Sequence, residues 1–301
     1  MRIFFISLLL FLSCSNATKT LPNSTGKISE VIFVSDDNLW QDILQKLVVK
    51  TFGRPINGTN YDESLFKIIQ INFSEFKSIL KTHKNIVIIS DEAINSSELD
   101  KWAVGQYVTQ LRWSNSPQNT IEDLEKLCLM YKNREIKYVR EVLKKSSNEE
   151  LERKFSINFN NSIVIPKEYK SVMFTDSFFW ASYDPNNSDV IKNILSFSFK
   201  KNDTNFHSQV LSKTDSIFKH YLAGSNEGSY VRIEPLYKPI ISKNIYRGLW
   251  RLEGGFMGGA FLIKTYFPLE DKKDKIHVNV GVIFAPQSPK RKYIKEFEAI
   301  L

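Results

Sequence analysis

The chain has 301 residues, of which 42% are hydrophobic and 25% charged, and this composition is typical of a globular protein with a large core. Lysine and arginine outnumber aspartate and glutamate by 41 − 33 = 8. This excess is mild and scattered along the chain, which favours a solvated surface over a patch for polyanions or anionic lipids.

The first fourteen residues predict a bacterial lipoprotein signal. Arg2 gives a positive start, residues 3–12 are almost all apolar, and the small Ser13 precedes Cys14. The apolar run has the length of a signal-peptide core and is shorter than the ~20 residues that span a bilayer. We therefore predict a signal peptide over 1–13 and lipidation of Cys14. The alternatives are an ordinary secretory signal with an incidental cysteine, or a buried core helix.

The segment after the cysteine is polar and rich in turn formers, and we predict a tether over 14–27. A flexible coil of this length has an end-to-end distance of roughly 20 Å, so the folded part would stay close to the membrane. Ser15 follows the cysteine and no acidic run comes after it. By resemblance to lipoprotein sorting rules, we expect an outer-membrane anchor facing the periplasm, and an exported protein of this kind is not expected to bind nucleic acid.

Cysteine usage fits export without an internal disulfide. Cys128 is the second of two cysteines, and lipidation of Cys14 would leave it without a partner. Its apolar neighbours favour a buried structural thiol over a reactive nucleophile.

Strands and helices alternate through the first 115 residues, which predicts helices layered on a sheet. The predicted elements are a strand at 31–34, a helix capped by Asp36, Asp37 or Asn38 and ended by Gly53, a strand at 66–73, a short helix at 75–82, a strand at 86–90, and a helix opened by Ser97 that carries Trp102 and Tyr107.

A long amphipathic helix is predicted next, over 117–156, with a restart near Ser147. Beyond it the second half begins with the apolar run 163–166 and continues into 172–180. The predicted elements that follow are a strand at 194–199, a helix at 208–222, strands at 230–233, 246–253, 260–267 and 276–284, and a final helix opened by Ser288 and Pro289. The last three strands follow one another without room for helices, which predicts an antiparallel meander.

The predicted fold class is α/β (α+β): mixed sheets with flanking helices, one long central helix, a C-terminal antiparallel meander and a final helix. We predict a single domain over 28–301. It could be built from two packed halves, 28–115 and 160–301, joined by the helix over 117–156.

Several segments together carry a resemblance to a family. These are the lipoprotein signal, residues 26–34, residues 102–106 and, most specifically, the run Arg247 to Phe261 with its paired glycines. In these features the chain resembles a family of Bacteroidota lipoproteins, domain of unknown function 4837. The resemblance implies location and lineage, and it supplies no activity and no site residues.

The meander supplies the candidate binding residues. Gly254, Gly255, Gly258 and Gly259 predict a turn between two strands, with Phe256 and Met257 at its tip as a partner or lipid contact if they are exposed. The alternating strand at 276–284 predicts one core face and one face that is either solvated or covered by something polar. The polar face would carry Arg247, Arg251, Glu253, Lys264, His277 and Asn279.

Three cations, Lys290, Arg291 and Lys292, fall in the first turn of the final helix, where the helix dipole disfavours positive charge. A local anionic partner such as a lipid headgroup would relieve this placement, and a plain solvated helix end is the alternative.

No motif for catalysis, a metal or a cofactor stands out, so we predict none. The sequence favours a membrane-anchored envelope lipoprotein that binds a small ligand or an envelope protein through Arg247, Arg251, Phe256, Met257 and His277. The alternative is an envelope hydrolase whose acidic residues only the fold brings together.

Overall fold

The structure is a computed structural model that describes residues 20–59, 63–201, 205–267 and 275–301. Cys14 and the first part of the predicted tether lie outside these described residues. Within them, no helix has both the length and the apolar content to cross a bilayer. The predicted mixed α/β class is confirmed, with two sheets, flanking helices and a C-terminal antiparallel meander.

The first sheet has five strands: β1 (Glu30–Val34), β2 (Lys67–Ile71), β3 (Asn85–Ser90), β4 (Ser96–Leu99) and β5 (Tyr107–Arg112). Their order in space is β2-β1-β3-β5-β4. Only the edge strand β4 runs antiparallel to its neighbour.

The side chains of the first sheet alternate between two apolar cores on its opposite faces, and helices cover one of these faces. Val31 and Phe33 of β1 pack with buried residues of the helices, whereas Ile32 and Val34 form a smaller core on the opposite face. The covering elements are α1 (Asp37–Leu39), a π-helical turn (Trp40–Leu44), α2 (Gln45–Thr51) and the long α3 (Pro117–Lys144). The side chain of Asp36 caps α1, as predicted.

The helix predicted from Ser97 is wrong. Residues Ser96–Leu99 form β4, which pairs antiparallel with β5, so Tyr107 lies in a strand. Between the two strands Gly105 has φ +78°, which is outside the right-handed helical region, and Trp102 packs edge-on against Phe76 at 5.8 Å between ring centroids. The helix predicted over 75–82 is reduced to a 3₁₀ turn, Ser78–Thr82.

The end of the predicted tether is tied to the first sheet. Asn23 and Thr25 form isolated bridges with Val104 and His83, and the backbone N–H of Ser24 donates to the Val104 carbonyl at 2.9 Å. The chain is therefore held by the fold several residues before residue 28.

Two helices occupy the predicted range 117–156, and the second begins close to the predicted restart at Ser147. Helix α3 is capped by Ser116 with Pro117 at its first position, and it ends at Lys144. Helix α4 (Glu149–Phe159) begins after Asn148, whose side chain accepts from the N–H of Leu151.

The second sheet has eight strands: β6 (Lys170–Phe174), β7 (Phe178–Tyr183), β8 (Ile191–Lys200), β9 (Tyr230–Ile233), β10 (Ile240–Ser242), β11 (Ile245–Glu253), β12 (Gly258–Tyr266) and β13 (Lys275–Phe284). The order is β10-β11-β12-β13-β8-β7-β6, with β9 paired to β11. Every pairing is antiparallel, which confirms the meander β11-β12-β13.

Helices lie on both faces of the second sheet. Helix α5 (Phe206–Tyr221) packs on one face through Val210 and Phe218. Helix α4 and the final helix α6 (Arg291–Ile300) pack on the other through residues such as Phe155 and Phe297. The face of the meander that was expected to be solvated or covered by something polar is therefore covered by helices, and His277 and Asn279 on it are buried. Alternation along a strand shows which residues share a face and cannot show that a distant helix covers it.

The start of the final helix also differs from the prediction. Helix α6 begins at Arg291 with Lys290 as N-cap, two residues beyond Ser288 and Pro289. The carboxylate of Glu63 accepts hydrogen bonds from the backbone N–H groups of Lys290 at 2.6 Å and Arg291 at 2.8 Å. An acidic residue of the chain itself therefore occupies the position at which an external anionic partner would relieve the positive charge.

Candidate functional site

The five residues predicted as a binding surface do not form one surface. Strand register places Arg251 opposite Gly258 and His277 opposite Tyr266, at the two ends of β12. Those ends are separated by about 27 Å, at roughly 3.4 Å a residue. His277 is buried and lies beside the ring of Phe159 of α4, with 6.4 Å between ring centroids.

The glycine-rich turn has the predicted backbone form but divides its two apolar residues. Gly254 has φ +80°, as a tight turn requires, and Phe256 is fully exposed at the tip. Met257 instead packs against the core beneath α5. Near the turn, Arg251 is half-exposed and paired with Glu253 at 2.8 Å.

Arg247 is the predicted residue that reaches a charged cavity. The cavity has a volume of ≈ 440 Å³ and lies where α3, α6, β11 and the loop after α2 meet. Some of its lining residues belong to segments packed on the first sheet, and others belong to the second sheet or to the helix α6 packed on it. The cavity therefore exists only when these two parts of the chain are packed together. The charged residues in the lining are Arg54, Lys132, Arg247, Arg291, Lys295 and Glu298.

Positive charge dominates this lining. Five cations and one carboxylate give a formal charge of 5 − 1 = +4 among the described residues. Charges of one sign that line a partly enclosed cleft raise the local concentration of oppositely charged ligands. The basic residues that look scattered in the sequence are concentrated here by the fold.

Lys295 enters the cavity wall as one half of a buried ion pair. Its ammonium group bonds the carboxylate of Glu135 on α3, and both side chains are 3% exposed. The same carboxylate accepts from the backbone N–H of Ser29 at 2.8 Å and the side-chain amide of Asn85 at 3.0 Å. Burial lowers the pKa of Lys295, and the neighbouring carboxylate offsets this only in part.

Glu298, three residues along α6, is held between two cations. Lys132 approaches it at 3.0 Å, and Arg247 also bonds it directly. Burial by itself would raise the pKa of Glu298, but the two positive charges outweigh burial and hold that pKa below its ordinary value. The carboxylate is therefore ionised at neutral pH and cannot serve as a proton donor there.

Arg54 and Arg291 have no carboxylate within ion-pair distance in the described ranges. Arg291 donates from Nε to the Ser64 carbonyl at 2.6 Å and from Nη2 to the Ser64 hydroxyl at 3.2 Å. Arg54 is exposed. These two guanidinium groups keep most of their charge and donor capacity for a ligand, and guanidinium groups favour carboxylate and phosphate oxygens.

Sequence reasoning missed most of this site, because its residues come from four separate segments. The one usable indication was the run of cations at the start of α6, where the helix dipole disfavours them. That run contains Arg291, and it is tolerated because Glu63 caps the same helix. No sequence pattern linked it to Arg54 or Lys132.

Metal binding and thiol chemistry find no support in the described part of the chain. No group of three or more His, Cys, Asp or Glu side chains there is placed to hold a metal ion. Cys128 is buried as predicted, and burial raises its pKa to about 11, so the thiolate that nucleophilic chemistry needs is disfavoured.

Two family models match the chain. One is described as Domain of unknown function (DUF4837) and matches residues 146–301, which is more than half of the chain. The other is described as Domain of unknown function (DUF8532) and matches residues 24–153. No curated protein matches the chain.

Proposed function

We propose that this chain, which belongs to the DUF4837 family, is a lipoprotein of a Bacteroidota envelope that binds a small anionic ligand between its two sheets. In this proposal Cys14 carries the lipid, and the anchor lies in the outer membrane facing the periplasm. The folded part acts as a binding module held close to that membrane.

The observation that carries the binding proposal is the charged cavity. Its lining has a formal charge of +4 and two guanidinium groups, Arg54 and Arg291, without a carboxylate partner in the described residues. A ligand with phosphate or carboxylate groups would replace the water around these groups with charge-assisted hydrogen bonds, which contribute about 1.5–3 kcal/mol each. The volume of ≈ 440 Å³ is within the range of small-molecule sites.

The cavity supports binding better than hydrolysis. Acid–base hydrolysis of the glycosidase kind uses two carboxyl groups, one of which must be protonated. The described lining contains one carboxylate, Glu298, and its two cation partners keep it ionised. This arrangement favours a stable electrostatic wall over a proton donor.

The lipoprotein proposal is supported by the signal that ends at Cys14 and by the position where the fold begins. Pro22 lies eight residues after Cys14, and its carbonyl accepts a hydrogen bond from the backbone N–H of Val104. Eight extended residues reach at most about 29 Å. A lipid on Cys14 would therefore hold the first sheet within that distance of the membrane.

Calorimetric titration with inorganic pyrophosphate at fixed ionic strength tests the binding proposal. We expect saturable binding that weakens as salt is raised, and we expect Arg54→Ala to raise the Kd about tenfold, because a charge-assisted contact is lost. Arg153→Ala is the matched control, since Arg153 is exposed on α4 and does not line the cavity. Absence of binding, or an equal loss in both variants, would refute the proposal.

Detergent partitioning and intact-mass measurement of the mature protein test the anchor. We expect the wild-type chain to enter the detergent phase with the added mass of a lipid, and Cys14→Ser to remain in the aqueous phase. A wild-type protein with an unmodified Cys14 would contradict the lipoprotein proposal while leaving the anion site untouched.

A further inference from the structure

A second cavity has the opposite character to the charged one. It lies at one end of the second sheet, on the face covered by α5, and has a volume of ≈ 220 Å³. Four aromatic side chains line it: Trp180, Tyr221, Trp250 and Phe284. The exposed turn that carries Phe256 is adjacent, because Met257 also lines the cavity.

The charge of this cavity is negative in a chain that is positive overall. Asp184 is the single charged residue in its described lining, which contains no lysine or arginine. The whole chain has a formal charge of +8, so a negative lining is not what the average surface would supply. Asp184 is exposed and has no ion-pair partner in the described residues, which leaves its carboxylate available to a ligand.

The aromatic rings are fixed by contacts within the protein. The indole N–H of Trp180 donates to the Asn193 side-chain oxygen at 2.8 Å, and that of Trp250 donates to the Ile283 carbonyl at 3.0 Å. Tyr221 stacks on Phe178 with 4.1 Å between ring centroids. Because both indole N–H groups are already used, the two tryptophans offer a ligand the carbon atoms of their rings and no further hydrogen-bond donor.

We propose that this cavity binds an organic ammonium ion. The negative face of an aromatic ring attracts a cation, and tryptophan is the most effective ring for this contact. Asp184 adds a carboxylate at the same cavity, so an alkylammonium group would meet both a counter-ion and the rings. A quaternary ammonium fits this lining well, because its methyl groups need no hydrogen-bond acceptors. This site does not depend on the anion site, which lies between the sheets and involves none of the same residues.

Choline and its uncharged analogue, in which a carbon atom replaces the nitrogen, provide a matched pair of probes. Calorimetric titration of the full chain should show choline binding at least about tenfold more tightly than the analogue, since the two differ only in charge. Asp184→Asn should weaken choline binding severalfold and leave the analogue unchanged. Asp189→Asn is the control, because Asp189 is exposed nearby but does not line the cavity.

The ring contribution is tested separately with Trp180→Leu, which should reduce choline binding while the circular dichroism spectrum stays that of the wild type. If this variant does not fold, the Asp184→Asn comparison still decides the question. Equal affinity for the two probes would show an apolar pocket and overturn the proposal, as would no choline binding at millimolar concentration. Added pyrophosphate should not change choline affinity, and competition between them would also overturn it.

Discussion

Lys295 and Glu135 form a buried ion pair across 160 positions of the sequence, and each side chain is 3% exposed. Lys295 lies on the final helix and Glu135 on the long helix α3. Because Glu135 also accepts from Ser29 and Asn85 at the start of β1 and β3, one carboxylate joins the C-terminal helix to the first sheet. The cavity between the sheets depends on this junction.

Removal of one partner from this pair should be strongly destabilising. Lys295→Met leaves the Glu135 carboxylate buried without its counter-ion, and such changes cost about 3–5 kcal/mol. Chemical denaturation of the variant should show the loss in the free energy of unfolding. The control is Lys154→Met, which breaks an exposed pair with Glu150 and should change stability by less than about 0.5 kcal/mol. Similar effects of the two substitutions would contradict the buried pair.

The Glu63 cap should account for a measurable part of the stability of α6. Glu63→Gln keeps the size of the side chain but removes the charge that faces the helix N-terminus, so we expect a loss of about 1 kcal/mol. Thermal and denaturant unfolding measure this loss. Glu75→Gln is the exposed control and should be neutral within about 0.5 kcal/mol. A neutral Glu63→Gln variant would mean that the cap contributes little.

Replacement of Gly281 by a larger residue should be destabilising. A Cβ atom at this position would lie 2.3 Å from the Cγ of Phe297, where α6 crosses β13. We expect Gly281→Ala to cost about 1–3 kcal/mol through overpacking. If the clash is the cause, the double variant Gly281→Ala/Phe297→Leu will lose less free energy of unfolding than the two single losses added together. Additive losses would place the cause elsewhere.

His277 should make the protein less stable in mild acid. Burial lowers its pKa below the ordinary 6.5, with a smaller contribution from Lys275. Between the two pKa values the unfolded chain binds a proton that the folded chain does not, so stability falls as pH drops below 6.5. His277→Leu should flatten this dependence between pH 6.5 and 5, measured by denaturant unfolding at a series of pH values. His83, whose pKa burial also lowers, will retain its own share of the slope.

Sequence periodicity predicted most elements where a run was long or its alternation was clean. The strands at 230–233 and 246–253 and the helix at 208–222 agree closely with β9, β11 and α5. The segment from Ser97 failed because short apolar spacing fits a helix as well as two strands, and the choice was made by pairing with the distant β3. The start of α6 was missed by two residues because its cap is Glu63, more than two hundred residues earlier.

The sequence by itself determined the α/β class, the antiparallel meander and the buried state of Cys128, since local patterns of apolar residues and turn formers specify these. The proposal that Cys14 carries a lipid likewise depends only on residues close to it along the chain. Tertiary structure alone decided that helices cover both faces of the second sheet, and that Arg54, Lys132, Arg247 and Arg291 face one cavity. The physical reason is that charges act on a ligand according to their distance in space, which is a few ångströms in such a site. Residues that are close in space can come from any part of the chain, so no regular spacing in the sequence marks them.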